Sequence, residues 1–239
     1  MSMIGVFSKT LDAGVVEAIG YSGLDFIILD QEHGNASNQT LENLIRASKL
    51  SGIKAIVRVP DHNPTQIGSV LDMGAYGVQV PNVKSLEQAK EIVYAAKFYP
   101  LGMRGVCRFV PAANYGTMDR DVFFANSNDT LLVMQVEGTD VLQDIDEIIK
   151  LEGLDVLFIG PYDLSQSLGV PGQIDHPKVT EAISLIVQKS RSRNLMVGTF
   201  CDKIADAKRM SSLGIEYIAF SVDMNILSSA CKELKKQIE

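Results

Sequence analysis

The sequence predicts a (β/α)8 barrel, in which eight parallel strands alternate with helices around a closed core. Eight short runs rich in β-branched and apolar residues recur along the chain, and segments with helical spacing separate them. The runs are apolar on both faces, which is typical of a parallel sheet covered by helices. Eight such units in 239 residues leave little spare chain, so we expect one barrel domain over 1–239.

Each predicted strand is followed by turn residues and then by a helical pattern. The strands are IGVF (4–7), FIILD (26–30), KAIVRV (54–59), YGVQV (76–80), TLLVMQVE (130–137), VLFIG (156–160), MVGTF (196–200) and YIAFSV (217–222). An open doubly wound sheet is the alternative arrangement. The sequence contains neither GxGxxG nor GxxxxGK, which disfavours a dinucleotide or P-loop site.

Helical spacing is clearest in three segments, 40–52, 85–98 and 176–193. The residues that we expect to cap these helices or to lie in their first turns are Asn38, Ser85 and Asp175. The segment 98–121 is far longer than an ordinary connector. Long loops in compact domains usually carry function or a subunit contact.

Composition and charge restrict the class of function. The chain has 29 acidic and 22 basic residues and a net charge of −7, which argues against a nucleic-acid or anionic-membrane surface. No apolar run approaches the ~20 residues that span a bilayer, and the first residues lack the pattern of a secretion signal. Three cysteines without CxxC spacing are expected to be reduced thiols. We therefore expect a cytoplasmic protein that binds neither nucleic acid nor a membrane.

Polar side chains follow several predicted strands at their carboxyl ends, where the active site of such a barrel forms. They are Asp30, Glu32 and His33 after strand 26–30, Arg58 near the end of 54–59, Gln135 and Glu137 in 130–137, Asp163 after 156–160, and Asp223 after 217–222. We expect these side chains to meet at one mouth of the barrel.

Glu137 and Asp163 are candidate ligands of a divalent cation. Gln135 and Glu137 share one face of an apolar strand, and a carboxylate buried there must be paired, protonated or bound to a cation. Taken singly, Glu137 could equally end its strand, and Asp163 is more typical of a helix N-cap. Two carboxylates at the ends of neighbouring strands, with water and substrate oxygens, match the usual way in which Mg²⁺ is held.

Arg58 and His33 are candidates for substrate binding and proton transfer. An arginine in an apolar strand needs an anionic partner, which is either a carboxylate of the mouth or a substrate carboxylate or enolate oxygen. His33 is either a general base held by a carboxylate or a capping residue.

A lysine that forms a Schiff base is the weaker alternative to a metal. The closing residues of the predicted strands contain no lysine, but Lys9, Lys84 and Lys203 lie just beyond strands one, four and seven.

Six strings occur in order along nearly the whole chain: DFIILDQEHG, AIVRVP, LDMGAYGVQVPNV, GMRGV, MQVEG and IGPYDLSQSLGVPGQIDHPKV. Together they resemble the HpcH/HpaI aldolase family, and the match runs from about Gly5 to Asp223. Such proteins are class II pyruvate aldolases on TIM barrels and depend on a divalent metal. The resemblance implies Mg²⁺, or Mn²⁺ or Co²⁺, on Glu137 and Asp163, with no organic cofactor. It further implies that Arg58 binds pyruvate and stabilises its enolate, and that His33 is the base.

The resemblance also implies supporting roles and an assembly. Asp30 or Asp72 would orient His33, and Asp72 would come from elsewhere in the assembly. The substrate-binding residues would be Arg58, Gln135 and the backbone around Gly160, Pro161, Tyr162 and Asp163. Related enzymes are usually homohexamers, as trimers of dimers that exchange their last helices, so the helix after Met224 would pack on a neighbour.

The implied reaction is the reversible cleavage of a 4-hydroxy-2-oxo acid to pyruvate and an aldehyde. Tyr162 replaces a small residue of the family and is expected to narrow the entrance. The position of an arginine that grips acidic aldehydes in some relatives matches about Ala112, and Arg108 is out of register, so the aldehyde stays open. The alternatives are oxaloacetate decarboxylation or hydroxyacyl-CoA cleavage in the same site, and a catalytically silent barrel that serves as a binding or assembly component.

Overall fold

A computed structural model describes residues 2–239 and contains a closed barrel of eight parallel strands. The strands are β1 (Met3–Ser8), β2 (Phe26–Asp30), β3 (Lys54–Arg58), β4 (Gly77–Val83), β5 (Leu131–Val136), β6 (Val156–Ile159), β7 (Met196–Cys201) and β8 (Tyr217–Val222). Each strand pairs with the next, and β8 pairs with β1 to close the barrel. The predicted (β/α)8 barrel is confirmed, and every predicted strand overlaps one of these eight.

Within residues 2–239, ten α-helices connect the strands and cover the barrel. They are α1 (Ala13–Gly20), α2 (Asn38–Ser51), α3 (Pro64–Asp72), α4 (Leu86–Ala96), α5 (Arg120–Asn126), α6 (Asp140–Ile148), α7 (Pro161–Ser167), α8 (Pro177–Arg191), α9 (Ile204–Leu213) and α10 (Asp223–Ile238). None of these helices combines the length and the apolar character that crossing a bilayer requires.

Asn38 lies in the first turn of α2, as predicted, and Asp175 lies one residue before the cap of α8. Ser37, not Asn38, caps α2, because its hydroxyl accepts the Thr40 backbone N–H at 3.2 Å. His176, not Asp175, caps α8, because its Nδ1 accepts a backbone N–H of the first turn. The helical backbone therefore begins immediately after each observed cap.

Apolar side chains fill the barrel beneath its mouth. This inner cluster consists of Phe7, Phe26, Ile28, Ile56, Val133, Val156, Phe158, Tyr217 and Ala219. Phe26 stacks on Tyr217 with ring centroids 3.9 Å apart. Gly5 allows this packing, since a Cβ there would lie 2.3 Å from the Phe26 ring. The interior is therefore a packed floor on which polar residues at the strand ends are supported.

Strand register brings three of the polar residues side by side. Asp30 pairs with Arg58, and Arg58 pairs with Gln79, across β2, β3 and β4. Residues in register on parallel strands point to the same side of the sheet. A polar layer therefore lies directly above the apolar floor.

The long segment between α4 and α5 packs through a small aromatic cluster. Phe98 and Phe123 are buried together with Ala113, which lies in a 3-10 turn over Pro111–Gly116. Other side chains of the segment, such as Tyr99 and Phe109, are exposed. The predicted function or subunit contact of this segment stays a prediction.

Candidate active site

A cavity of about 240 Å³ opens at the carboxyl ends of the strands. Its lining consists of Phe7, Lys9, Asp30, His33, Arg58, Gln135, Phe158, Gly160, Pro161, Tyr162, Asp163, Phe200 and Val222. Polar residues from five different strand ends converge there, as expected of the active site of such a barrel. A larger cavity of about 990 Å³ lies between α3 and α4, outside the barrel.

Arg58 is buried and is held by two carboxylates. Its Nε and Nη2 donate to the Asp30 Oδ1 and Oδ2 at 2.9 and 2.8 Å. Its Nη1 lies 2.9 Å from Glu32 Oε2, and its guanidinium carbon lies 4.6 Å from the centre of the Phe7 ring. Each terminal nitrogen keeps a second N–H group, so the rigidly placed guanidinium can still bind a ligand oxygen.

Asp30 fixes both Arg58 and the turn that carries His33. Its Oδ1 also accepts the backbone N–H groups of Glu32 and His33, at 3.1 and 3.2 Å. Burial alone would raise the pKa of the Asp30 carboxyl, but the hydrogen bonds and charge of Arg58 outweigh burial and lower that pKa. Asp30 is therefore an ionised anchor.

The His33 ring lies at the cavity with most of its surface in solvent. Its side chain is 64% exposed, and its Nε2 lies 3.9 Å from Glu32 Oε2. The carboxylate of Asp30 is engaged by Arg58 and by backbone N–H groups. Asp30 thus positions His33 through its backbone N–H, and the prediction that Asp30 or Asp72 orients the His33 imidazole stays a prediction.

Asp72 does not join the mouth of its own barrel. It ends α3, and its carboxylate forms an ion pair with Arg104 beside the larger cavity. The physical reason is topological: the helix returns the chain to the amino end of β4, so its last residue lies far from the carboxyl ends of the strands. That another subunit supplies Asp72 to His33 stays a prediction.

Glu137 and Asp163 converge on one point at the ends of β5 and β6. A Cβ at Gly160 would lie 3.5 Å from both Glu137 Oε1 and Asp163 Oδ2. Burial raises the pKa of Glu137 to about 7; a Gln135 hydrogen bond opposes this rise, and the charges of Asp163 and Glu32 add to it. A cation between these carboxylates would relieve their mutual repulsion.

The donor set fits a divalent cation of the Mg²⁺ type. Within residues 2–239, no group of three or more His, Cys, Asp or Glu side chains is arranged to hold a metal. A cation beside Gly160 would therefore take two carboxylates from the protein and its other ligands from water and substrate. That arrangement is the common one for Mg²⁺.

Gln79 is a site residue that the sequence did not single out. Its amide Nε2 donates to the Gln135 Oε1, which leaves the Gln135 Nε2 to donate to Glu137. Gln79 is fully buried, and it is the polar member of the apolar strand run YGVQV. A polar residue within an apolar strand, in register with Arg58 on the neighbouring strand, is the signal that could have identified Gln79 from the sequence.

Tyr162 forms part of the rim of the cavity. Its hydroxyl donates to Asp202 Oδ2 at 2.9 Å, and its ring packs against Phe200 with centroids 6.4 Å apart. Arg108 does not line the cavity, and it donates to the Met118 carbonyl in its own loop at 2.6 Å.

Comparisons with known proteins identify relatives in sequence and in structure. A 5-keto-4-deoxy-D-glucarate aldolase from Escherichia coli O6:H1 is 33% identical over 231 residues, which cover 97% of this chain and 90% of the relative. An HpcH/HpaI aldolase from Desulfitobacterium hafniense DCB-2 superposes with a TM-score of 0.92 at 28% identity, covering 99% of this chain and 92% of that one. The citrate synthase SbnG superposes with a TM-score of 0.86 at 29% identity, covering 100% and 95%.

The sequence pattern of one family spans almost the whole chain. The HpcH/HpaI aldolase/citrate lyase family matches residues 3–230. The predicted reaction class, a lyase of the aldolase type, is confirmed by this match together with the named relative. The resemblance inferred from the motifs is likewise confirmed, and the chain belongs to the HpcH/HpaI aldolase/citrate lyase family.

Proposed function

We propose that this protein is a divalent-metal-dependent aldolase that reversibly cleaves a 4-hydroxy-2-oxo acid to pyruvate and an aldehyde. The observation that carries the proposal is the convergence of Glu137 and Asp163 on one point beside Gly160, in the same mouth as Arg58 and His33. The named relative from Escherichia coli supports an oxo acid of the sugar-acid type as the substrate class.

Cleavage between C3 and C4 of the substrate requires a base for the C4 hydroxyl and positive charge for the electrons left on the pyruvate fragment. Glu137 and Asp163 would hold the cation, which would supply positive charge to the oxo-acid end of the substrate when bound. Arg58 contributes a second positive group, which its two carboxylate partners keep in place. Mg²⁺ suits these hard oxygen donors, and Mn²⁺ or Co²⁺ would substitute for it.

His33 moves the proton in this scheme. In cleavage its imidazole removes the proton from the C4 hydroxyl, the oxygen forms the aldehyde carbonyl, and the C3–C4 electron pair passes to the pyruvate fragment. A proton that derives from solvent then adds to C3 and completes the methyl group of pyruvate. In the synthetic direction the imidazolium returns that proton to the new hydroxyl. The exposed ring at the cavity supports this role, because a substrate can reach it directly.

Proton exchange of pyruvate tests the proposal without the aldehyde. The protein is stripped with a chelator, mixed with pyruvate in D₂O, and the methyl signal is followed by NMR with and without Mg²⁺ or Mn²⁺. We expect metal-dependent exchange that Glu137→Gln abolishes and that the exposed control Glu181→Gln retains. Exchange that survives the chelator, together with a covalent pyruvate adduct that borohydride traps on the protein, would indicate a lysine Schiff base instead.

Two other reactions could use the same site, and a barrel without catalytic activity is the third alternative. Oxaloacetate decarboxylation would use the same residues, because it leaves the same pyruvate fragment, and it is assayed in the same samples. Cleavage of a hydroxyacyl-CoA is disfavoured, because CoA is large and needs a basic surface for its phosphates. The cavity has only about 240 Å³, and Lys9 and Arg58 in its lining do not form such a basic cluster. A catalytically silent barrel would show no exchange with any metal.

A further inference from the structure

A small cavity of about 180 Å³ lies at the end of the barrel opposite to the mouth, and we refer to it as the amino-end cavity. Gly74 and Ala75 of its lining precede β4, and Thr130 precedes β5, so the cavity lies at the amino ends of these strands. The seven residues of β4 separate the two ends of the barrel by roughly 20 Å. The amino-end cavity shares no lining residue with the cavity at the mouth.

The charge of the amino-end cavity is positive. Among residues 2–239, its lining contains two cations and no carboxylate. Lys49 comes from the last turn of α2, and Arg104 comes from the long segment between α4 and α5. The other polar side chains of the lining are Asn126, Ser127 and Thr130. In a protein with a net charge of −7, this composition favours an anion as the ligand of the cavity.

Lys49 forms no ion pair and no side-chain hydrogen bond within the described part of the chain. Its side chain reaches solvent, but its Nζ lies so close to Gly74 that a Cβ there would clash with it. Burial lowers the pKa of the ammonium group, and no neighbouring carboxylate opposes that shift. The three N–H donors of Lys49 can therefore bind a ligand.

Arg104 is buried and has a donor without a partner. Its Nη2 donates to Asp72, and its guanidinium carbon lies 5.0 Å from the centre of the Phe98 ring. Its Nε is buried and has no hydrogen-bond partner among residues 2–239. Buried guanidinium donors are normally paired, so this donor is a second indication of a ligand. Asp72 balances the charge of Arg104, and the uncompensated charge is therefore that of Lys49.

We propose that the amino-end cavity binds a phosphate group, either as the free ion or as part of a small metabolite. The oxygens of a phosphate point in different directions, which suits donors that converge from α2 and from the long segment. A volume of about 180 Å³ corresponds to about six water molecules, which is enough for a phosphate and a few further atoms. This site is separate from the proposed aldolase reaction, and its test does not use that reaction.

Calorimetry on the chelator-treated protein tests the proposal, with inorganic phosphate, glycerol 3-phosphate and acetate as the ligands. We expect the wild-type protein to bind phosphate at least tenfold more tightly than acetate. Lys49→Met should lower the affinity for phosphate by about tenfold, as for the loss of a charge-assisted hydrogen bond. Glycerol 3-phosphate that binds more tightly than the free ion would identify a metabolite as the ligand, and weaker binding would identify inorganic phosphate.

Lys9→Met is the matched control, because Lys9 lines the cavity at the mouth and is absent from the lining of the amino-end cavity. We expect Lys9→Met to keep the wild-type affinity for phosphate. Lys49→Arg should retain part of that affinity. Arg104→Lys keeps a cation beside Asp72 but removes the Nε donor, and it should weaken phosphate binding several-fold.

Four outcomes would overturn the proposal. The wild-type protein does not bind phosphate, or it binds acetate as tightly as phosphate. Lys9→Met lowers the affinity and Lys49→Met does not, which would place the anion at the mouth. Lys49→Met lowers the free energy of unfolding but leaves the affinity for phosphate unchanged, which would restrict Lys49 to stabilising the end of α2.

Discussion

The mouth of the barrel holds more negative than positive charge. The carboxylates are Asp30, Glu32, Glu137 and Asp163, and the cations are Lys9 and Arg58. Asp30 is stabilised as an anion by Arg58, whereas burial raises the pKa of Glu32 and of Glu137. The uncompensated charge is concentrated beside Gly160, where a divalent cation would balance it.

Glu137 gives the metal-free protein a pH-dependent stability. Its pKa of about 7 in the folded protein exceeds the ordinary value of 4.5, so the folded state binds a proton that the unfolded state releases. The free energy of unfolding therefore falls as the pH rises from about 4.5 to about 7. Glutamine at this position does not titrate, so Glu137→Gln removes this fall in the free energy of unfolding. We expect the variant to stabilise the metal-free protein at pH 8 by on the order of 2 kcal/mol, a value reduced because the Glu137 side chain is partly exposed.

Urea unfolding in a chelator at pH 5 and pH 8 measures this effect. At pH 5 we expect a much smaller difference between Glu137→Gln and the wild-type protein, and Glu181→Gln should show no such pH dependence. Mg²⁺ at pH 8 should stabilise the wild-type protein and not Glu137→Gln. An equal effect of Glu137→Gln at both pH values would contradict the assignment.

Gln79 should affect metal affinity without touching the metal. Its amide holds the Gln135 amide in the orientation that donates to Glu137. Gln79→Met keeps the size of the side chain but cannot donate, and we expect the affinity for Mg²⁺ to fall about tenfold, as for other residues that orient a ligand. Calorimetric titration with Mg²⁺ measures the change. Gln188→Met, at an exposed position of α8, is the control, and equal affinities in both variants would refute the role of Gln79.

At the scale of elements, Asp223 links the end of β8 to the loop after β1. Its buried carboxylate accepts the Ser8 hydroxyl and the backbone N–H groups of Lys9, Thr10 and Met224. These bonds lie at the seam where the barrel closes. Asp223 was predicted only to lie at the mouth, and the structure gives it the function of joining these two elements.

Removing this carboxylate should destabilise the barrel. We expect Asp223→Ala to lower the free energy of unfolding by about 3 kcal/mol, because several buried donors lose a charged acceptor together. Asp119, which accepts two backbone N–H groups at the exposed start of α5, is the comparison, and Asp119→Ala should cost about 1 kcal/mol. Chemical denaturation of both variants measures the difference, and an equal cost would show that the seam does not depend on Asp223.

The sequence could predict the elements because each one has a local pattern. The strands are apolar runs with turn residues after them, and the rule that barrel sites form at carboxyl ends then selects Arg58, Glu137 and Asp163. Contacts between side chains are not local. The pairing of Asp30 with Arg58 depends on register across β2 and β3, and the ion pair of Asp72 with Arg104 depends on how the long loop packs.

At the scale of the whole molecule, α10 leaves an apolar stripe in solvent. Met224, Leu227, Cys231, Leu234 and Ile238 recur at intervals of three and four residues, which places them on one face of the helix. All five are exposed, and Asp223 is the buried residue of α10. A stripe of this length is typical of a helix that packs against another surface.

We expect a second copy of this chain to cover that stripe, within the homohexamer that the family resemblance implies. Replacing Leu227 and Leu234 together by Asp places two charges in the stripe, and we expect the assembly to dissociate. Sedimentation velocity measures the mass. Replacing Lys232 and Lys236 together by Asp changes the opposite face of α10 and should leave the assembly intact. A wild-type protein that sediments as a monomer, or a stripe variant of unchanged mass, would show that α10 is not the contact.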